Sequence, residues 1–329
     1  MDDRLSSTYV VLNGAASGWT DVLSSVVQGS VLGPILFLIY INDLDIAILT
    51  ADKDIFISKF ADDTKIGREI TSSSDSAKLQ NGINNLVQWC SDWGMSLHPD
   101  KCVVLHFGAK NPRNDYHIDG VKIKSEDVAR DLGVHVSITG DSTAHVNKIA
   151  KKAQGVLSQI RRATVLRDSS TIVSLYRSYV RPLLESAAPA WNPTKRGDVN
   201  ALEKVQKRCM RLICNLGEKN YEEKLKELGL QTLEERRLRG DLIETYKYMH
   251  GYNDTDPNDL FNFVRDRHSK DTRSYANDNL VPEKTNLNIR KYFYSNRVTG
   301  TWNDLPTEIK ESVSVNTFKN NYDMYIGLR

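Results

Sequence analysis

The 329-residue sequence predicts an α+β fold, with a small antiparallel sheet and packed helices first and a mostly α-helical remainder after them. Three observations carry this. Ile55-Phe56-Ile57 and Ile66-Gly67 flank Lys59-Phe60-Ala61-Asp62-Asp63-Thr64-Lys65, the pattern of a short hairpin with acids at its turn. Leu79, Ile83, Leu86, Cys90 and Trp93 recur at helical spacing, and Gly94 stops that helix. Further on, Val146, Ile149, Ala153, Val156, Leu157 and Ile160, then Leu202, Val205, Cys209, Leu212 and Leu216, keep the helical period.

Taken in order, Tyr9 to Gly14 reads as a strand entering a turn, with Trp19 to Val27 as its antiparallel return. In Gln28-Gly29-Ser30-Val31-Leu32-Gly33-Pro34, two glycines permit close backbone approach to a ligand. Ser30 is a cap, and Pro34 suits the first turn of a helix running through Leu44. An ordinary capped helix explains the same spacing. Val31 to Ile41 is the longest nearly continuous apolar run, too short to span a bilayer, and is expected as a buried core helix. Met95-Ser96-Leu97 and Val103 to Phe107 read as strands around the turn His98-Pro99-Asp100-Lys101. His98, Cys102 and His106 fall four apart, but on a strand this lacks the compact loop of a structural zinc site, and zinc is rejected. Tyr221 to His250 reads as helical and charged, Thr255 to Asn288 as loop-like, and Thr301 to Leu305 as a compact aromatic turn.

Adjacent aspartates repel and bury poorly, so Asp62 and Asp63 need open solvent or a cation. Mg²⁺ is commonly held by one or two carboxylates and completed by phosphate and water; a plain acidic turn is the other reading. Lys101 could bring an ammonium beside them, to stabilise phosphate or act as a general acid, or it is a solvated turn lysine. The formal net charge of +2 hides an asymmetry. Ala144 to Cys214 holds fourteen Lys/Arg against four acids, a local +10, leaving −8 for the rest. Lys148, Lys151, Lys152, Arg161 and Arg162 on one helix, and Lys204, Lys207, Arg208 and Arg211 on another, suit a nucleic-acid backbone or are solvated faces of a bundle. Arg265, Arg267, Arg273, Arg290, Lys291 and Arg297, with Tyr275, Tyr292, Phe293 and Tyr294, either stack and neutralise single-stranded nucleic acid or only pack and solvate. Four cysteines without C-x-x-C spacing and no signal-peptide pattern point to a reduced, intracellular compartment.

Gln28 to Phe37, then Phe60-Ala61-Asp62-Asp63, the helix Leu79 to Trp93, and Ser96-Leu97-His98-Pro99-Asp100-Lys101-Cys102 together resemble the reverse transcriptase of non-LTR, LINE-type retrotransposons, where these motifs occur in this order. Asp131-Leu132-Gly133-Val134 resembles the next motif, a hairpin gripping the primer. Tyr179 to Glu185, Trp191-Asn192-Pro193, Arg236 to Lys247 and Arg297 to Pro306 are similar to the C-terminal region of the same polyproteins. The resemblance implies an incomplete polymerase palm over residues 1–137, a basic thumb-like region over 138–217 and a C-terminal region of unknown role over 218–329. It implies Asp62 and Asp63 as catalytic, metal-holding acids and Lys101 as the loop lysine. Gln28, Gly29, Ser30, Gly33 and Pro34 would meet template and nucleotide, and Leu132 and Gly133 the primer.

It further implies two-metal nucleotidyl transfer with Mg²⁺ on an RNA template, a DNA primer and deoxynucleoside triphosphates, in the nucleus and without a membrane. The family's third acid lies upstream of the glycine motif. Asp2, Asp3 and Asp21 are no match for it, so the chain is expected to begin within the palm and to be inactive alone. Ser25 and Val27 also stand where the family has Gly and Pro. A non-catalytic nucleic-acid-binding remnant and an unrelated Mg²⁺-dependent phosphotransferase remain open as alternatives.

Overall fold

A computed structural model describes residues 7–21, 31–214, 216–264 and 279–327. It divides into two compact units, Met1–Ser125 and Glu126–Arg329.

In the first unit β1 (Ser7–Thr8) and β2 (Val11–Leu12) return as β3 (Ala15–Ala16) and β4 (Thr20–Asp21). Asn13 and Gly14 both take positive φ, the turn whose twist matches a two-residue hairpin. The return thus starts at Ala15 rather than Trp19, and residues 22–27 lie outside the described residues. α1 (Gly33–Tyr40) has Pro34 in its first turn but breaks at Ile41, and α2 (Leu44–Leu49) follows. The expected buried core helix is not found. No residue of α1 is buried, and Val31 and Ile39 are 88% and 69% exposed. The break explains this, because Ile41, Leu44 and Ile48 fill the core while α1 reaches it only through Phe37 and Tyr40.

β5 (Phe56–Phe60) and β6 (Asp63–Gly67) form the acidic hairpin, paired from Phe56 with Gly67 to Phe60 with Asp63. α3 (Ser73–Asp92) ends as expected at Gly94, φ +69°, where the Met95 N–H donates to the Cys90 carbonyl at 2.7 Å. One face of α3 buries Trp89 and Cys90 with Ile41, Leu44, Ile48 and Ile55, against which Ile57 and Ile66 of the hairpin pack; the other buries Ile83 with Tyr116, Ile118 and Ile123. Gly82 permits this closeness, since a Cβ there would fall 2.6 Å from Ile55 Cδ1. Met95 to Leu97 forms no strand, and His98 to Lys101 closes as a 3₁₀ turn. β7 (Val103–Val104) instead pairs in parallel with β10 (Lys124–Ser125), outside the hairpin of β8 (His117–Ile118) and β9 (Val121–Lys122). Met95 and Leu97 are spent on the apolar core rather than on a ladder.

The second unit opens with the hairpin of β11 (Val128–Asp131) and β12 (Val134–Ser137), then α4 (Thr143–Ala163) and α5 (Ser169–Leu175). A π-helical turn over Tyr176–Val180 leads to α6 (Arg181–Glu185), α7 (Ala188–Trp191) and α8 (Arg196–Met210). α4 and α8 bury Val146, Ala153, Leu157, Leu202, Val205 and Cys209 in one core, as their periodicity predicts. α8 stops at Met210, so Leu212 and Leu216 reach that core from the following loop. The stretch expected as one helix from Tyr221 is α9 (Tyr221–Leu228) and α10 (Leu233–Met249), parted by Gly229 at φ +57°. α11 (Pro257–Leu260), β13 (Asn262–Phe263), β14 (Leu280–Val281), α12 (Asn288–Lys291), α13 (Tyr294–Asn303), α14 (Thr307–Lys310) and α15 (Val315–Tyr325) complete it. Trp302 belongs to the last turn of α13, not to a loop, and is buried in a second core with Tyr246 and Phe318. The fold is α+β, its strands forming two-stranded ladders among the described residues, antiparallel except for β7 with β10.

Candidate metal site and nucleic-acid surface

The acids sit where a two-residue turn forces them outward. Phe60 pairs with Asp63, leaving Ala61 and Asp62 as the turn, and Ala61 holds φ +51°, a backbone that a non-glycine residue adopts at a cost. Asp62 and Asp63 are exposed, and neither carboxylate has a hydrogen-bond or ion-pair partner among the described residues. Two neighbouring hard oxygen donors free of competing cations suit Mg²⁺. No group of three potential metal ligands occurs among the described residues.

The base of the hairpin is held tightly. Arg68, one residue past β6, is almost wholly buried and sends Nη1 to Asp52 Oδ1 at 2.8 Å and Nη2 to Asp75 Oδ1 at 2.9 Å. Asp52 lies just before β5 and Asp75 in the first turn of α3, so one guanidinium joins both legs of the hairpin to the helix behind it. Lys78 adds a second bridge to Asp52 at 2.8 Å. Bonds from the Ser72 hydroxyl, Arg68 and Thr71 hold the Asp75 carboxyl well below the usual carboxylate range. Higher up, the Lys59 ammonium donates to the Ile41 carbonyl at 3.0 Å and pairs with Asp45 at 3.1 Å, tying β5 to the junction of α1 and α2. Sequence reasoning missed this clamp. Its one signal was an arginine beyond a strand in a stretch rich in aspartate.

Of the residues expected to meet template and nucleotide, Gly33 and Pro34 open α1, while Gln28, Gly29 and Ser30 lie outside the described residues. Lys101 ends the 3₁₀ turn, exposed, and no hydrogen bond or ion pair joins it to Asp62 or Asp63. Its loop leaves from Leu97, which packs against the core under the acidic hairpin. Cys102 packs beneath α3, and His106 Nε2 lies 3.2 Å from Ser125 Oγ.

In the second unit Leu132 and Gly133 form the turn of the β11–β12 hairpin, at φ +44° and +88°. Leu132 is a bulky residue in a left-handed backbone and is 52% exposed. Behind the hairpin, the His135 N–H donates to Nδ1 of buried His145 at 3.1 Å, and His145 lies 4.7 Å from the Trp191 ring. Lys148, Lys151, Lys152, Arg161 and Arg162 of α4, and Lys204, Lys207 and Arg208 of α8 with Arg211 at its end, are all exposed on the sides away from the shared core. Lys207 lies 4.5 Å over the Tyr221 ring. The aromatic and basic residues near the C-terminus divide. Tyr294 is buried, and Arg297 is committed to Asp241 and the Pro189 carbonyl. Tyr292 and Phe293 face solvent, and Arg265, Arg267, Arg273 and Tyr275 lie outside the described residues.

Among the described residues no helix is long and apolar enough to cross a membrane. Residues 3–140 match the reverse transcriptase (RNA-dependent DNA polymerase) family. The RNA-directed DNA polymerase from mobile element jockey of Drosophila melanogaster is 21% identical over 216 residues, 62% of this chain and 23% of the relative. A probable RNA-directed DNA polymerase from transposon BS of the same species is 24% identical over 58% of this chain and 22% of its own length. A Pol polyprotein from the type-1 retrotransposable element R1 of Bradysia coprophila is 25% identical over 59% and 20%. The chain thus spans less than a quarter of the length of these relatives. No solved structure matches. The resemblance to non-LTR retrotransposon reverse transcriptases is borne out.

Proposed function

With residues 3–140 matching the reverse transcriptase family, we propose that this chain is the part of a retrotransposon RNA-directed DNA polymerase that presents two catalytic carboxylates and a basic surface for the primer–template. The observation that carries this reading is the pair Asp62 and Asp63, partnerless among the described residues, at the tip of a hairpin whose base is clamped, within the matching segment. Mg²⁺ bound there supplies activation of the primer 3′-hydroxyl and neutralisation of the leaving pyrophosphate. Asp62 and Asp63 hold the metal, and Lys101 meets nucleotide phosphate. Gln28, Gly29, Ser30, Gly33 and Pro34 border template and deoxynucleoside triphosphate, and Leu132 and Gly133 hold the primer end. The cations of α4 and α8 neutralise the nucleic-acid backbone, whose copying into DNA belongs in the nucleus.

Two-metal chemistry asks for a third acid, and the described residues group no third ligand with this pair. We infer that the chain by itself binds primer–template without extending it, so a non-catalytic binding role is the second reading. Primer extension on an RNA template with Mg²⁺, run with the chain and with an Asp62→Ala, Asp63→Ala variant, separates the readings. Binding by both without extension is the expected result. Extension by the parent alone would place a complete site within this chain, and equal extension by both would overturn the role given to the two acids.

A further inference from the structure

We propose that the segment 287–293, containing α12, is a second single-strand contact, on which bases of RNA or DNA stack against Tyr292 and Phe293. Residues 286–293 form an unbroken exposed run, in which the two rings are 43% and 44% exposed. Each ring carries its own cation: Lys291 Nζ lies 5.6 Å from the Tyr292 ring centre and the Arg290 guanidinium 5.0 Å from that of Phe293. With Lys284 and against Glu283, which pairs with Arg290, the segment carries a net charge of +2. Flat rings interleaved with cations fit a polyanion that offers bases to stack, and such stacking tolerates any sequence. An apolar protein surface would leave the Lys284 and Lys291 charges uncompensated, Arg290 being paired with Glu283.

The position of the segment argues the same way. Ile289 lies so close to Gly140 that a Cβ on that glycine would fall 1.7 Å from Ile289 Cδ1. Gly140 stands between β12 and α4, and the same loop is fixed to the start of α8 by Asp141 with Lys195 at 2.9 Å and by Thr143 with Asp198 at 2.7 Å. Through Ile289, α12 therefore adjoins the loop joining the Leu132 hairpin to basic helix α4, and the two rings follow at the end of α12. On the proposal, a strand leaving that hairpin along α4 meets α12 at this loop. The proposal rests on the reading that this unit binds nucleic acid.

Fluorescence anisotropy with labelled oligouridylate and oligothymidylate, using the full chain, tests it. Tyr292→Ala with Phe293→Ala should weaken binding at least about tenfold. The salt dependence should stay unchanged, because no charge is removed. Tyr292→Phe keeps the ring and should bind as the parent does, and the exposed rings leave the thermal midpoint unmoved. Parental affinity in the double Ala variant, while Lys151→Ala with Lys152→Ala weakens binding, would overturn the proposal and leave the patch to a protein partner, with the reading of α4 intact. Failure of the parent to bind either oligomer would overturn both.

Discussion

Ala61 and Leu132 stand in a left-handed backbone where glycine or asparagine costs less, and each sits at a hairpin tip carrying a functional assignment. Asn13 and Asp119 hold the same conformation with side chains suited to it. Leu132→Asn should therefore raise stability by about 1 kcal/mol in denaturant unfolding. It should also weaken primer–template binding, since the exposed apolar tip is lost; a variant neither more stable nor weaker in binding would remove Leu132 from the site. The hairpin that carries Asp62 and Asp63 at its tip was legible in the sequence because two short apolar runs flank a pair of acids that bury poorly. Arg68 was not, because its carboxylate partners lie sixteen and seven residues away and nothing in the spacing joins them.

Among elements, α3, α4 and α8 were legible because an apolar stripe at helical period forms only one kind of surface. α1 was misread for the opposite reason: a run apolar on every side says nothing of which side is covered, and its single edge of Phe37 and Tyr40 was invisible in composition. The aromatic stretch at Trp302 was misread because its burial depends on Tyr246 and Phe318, distant in sequence. The acidic hairpin is only as well aimed as its clamp. Arg68→Lys, whose single ammonium cannot fork to Asp52 and Asp75, should lower the thermal midpoint and loosen metal binding at Asp62 and Asp63. Acid should act on the same clamp. Because the folded Asp75 carboxyl lies below its unfolded value near 4, its stabilisation is complete above that value and lost as pH falls below it. A thermal midpoint that declines below about pH 4 in the parent, and less in Asp75→Asn, is the expected result. Equal decline in both would place the acid sensitivity elsewhere.

At the scale of the whole molecule, the two acids and the concentrated positive charge fall in separate compact units, joined by the chain between Ser125 and Glu126. Such a division suits the proposed role, in which the acids hold metal while a larger cationic surface keeps the nucleic acid in place. The charge asymmetry predicts that binding weakens steeply with salt whether or not the acids are present. Metal binding should depend on the acids and not on the cations of α4 and α8. Mn²⁺, followed by electron paramagnetic resonance in the full chain with a primer on an RNA template and a deoxynucleoside triphosphate, tests the central claim most directly. The account predicts that the parent binds the ion, that the nucleotide tightens it, and that Asp62→Asn with Asp63→Asn abolishes both while nucleic-acid binding survives. Undiminished Mn²⁺ binding in that variant, or binding indifferent to the nucleotide, would contradict it.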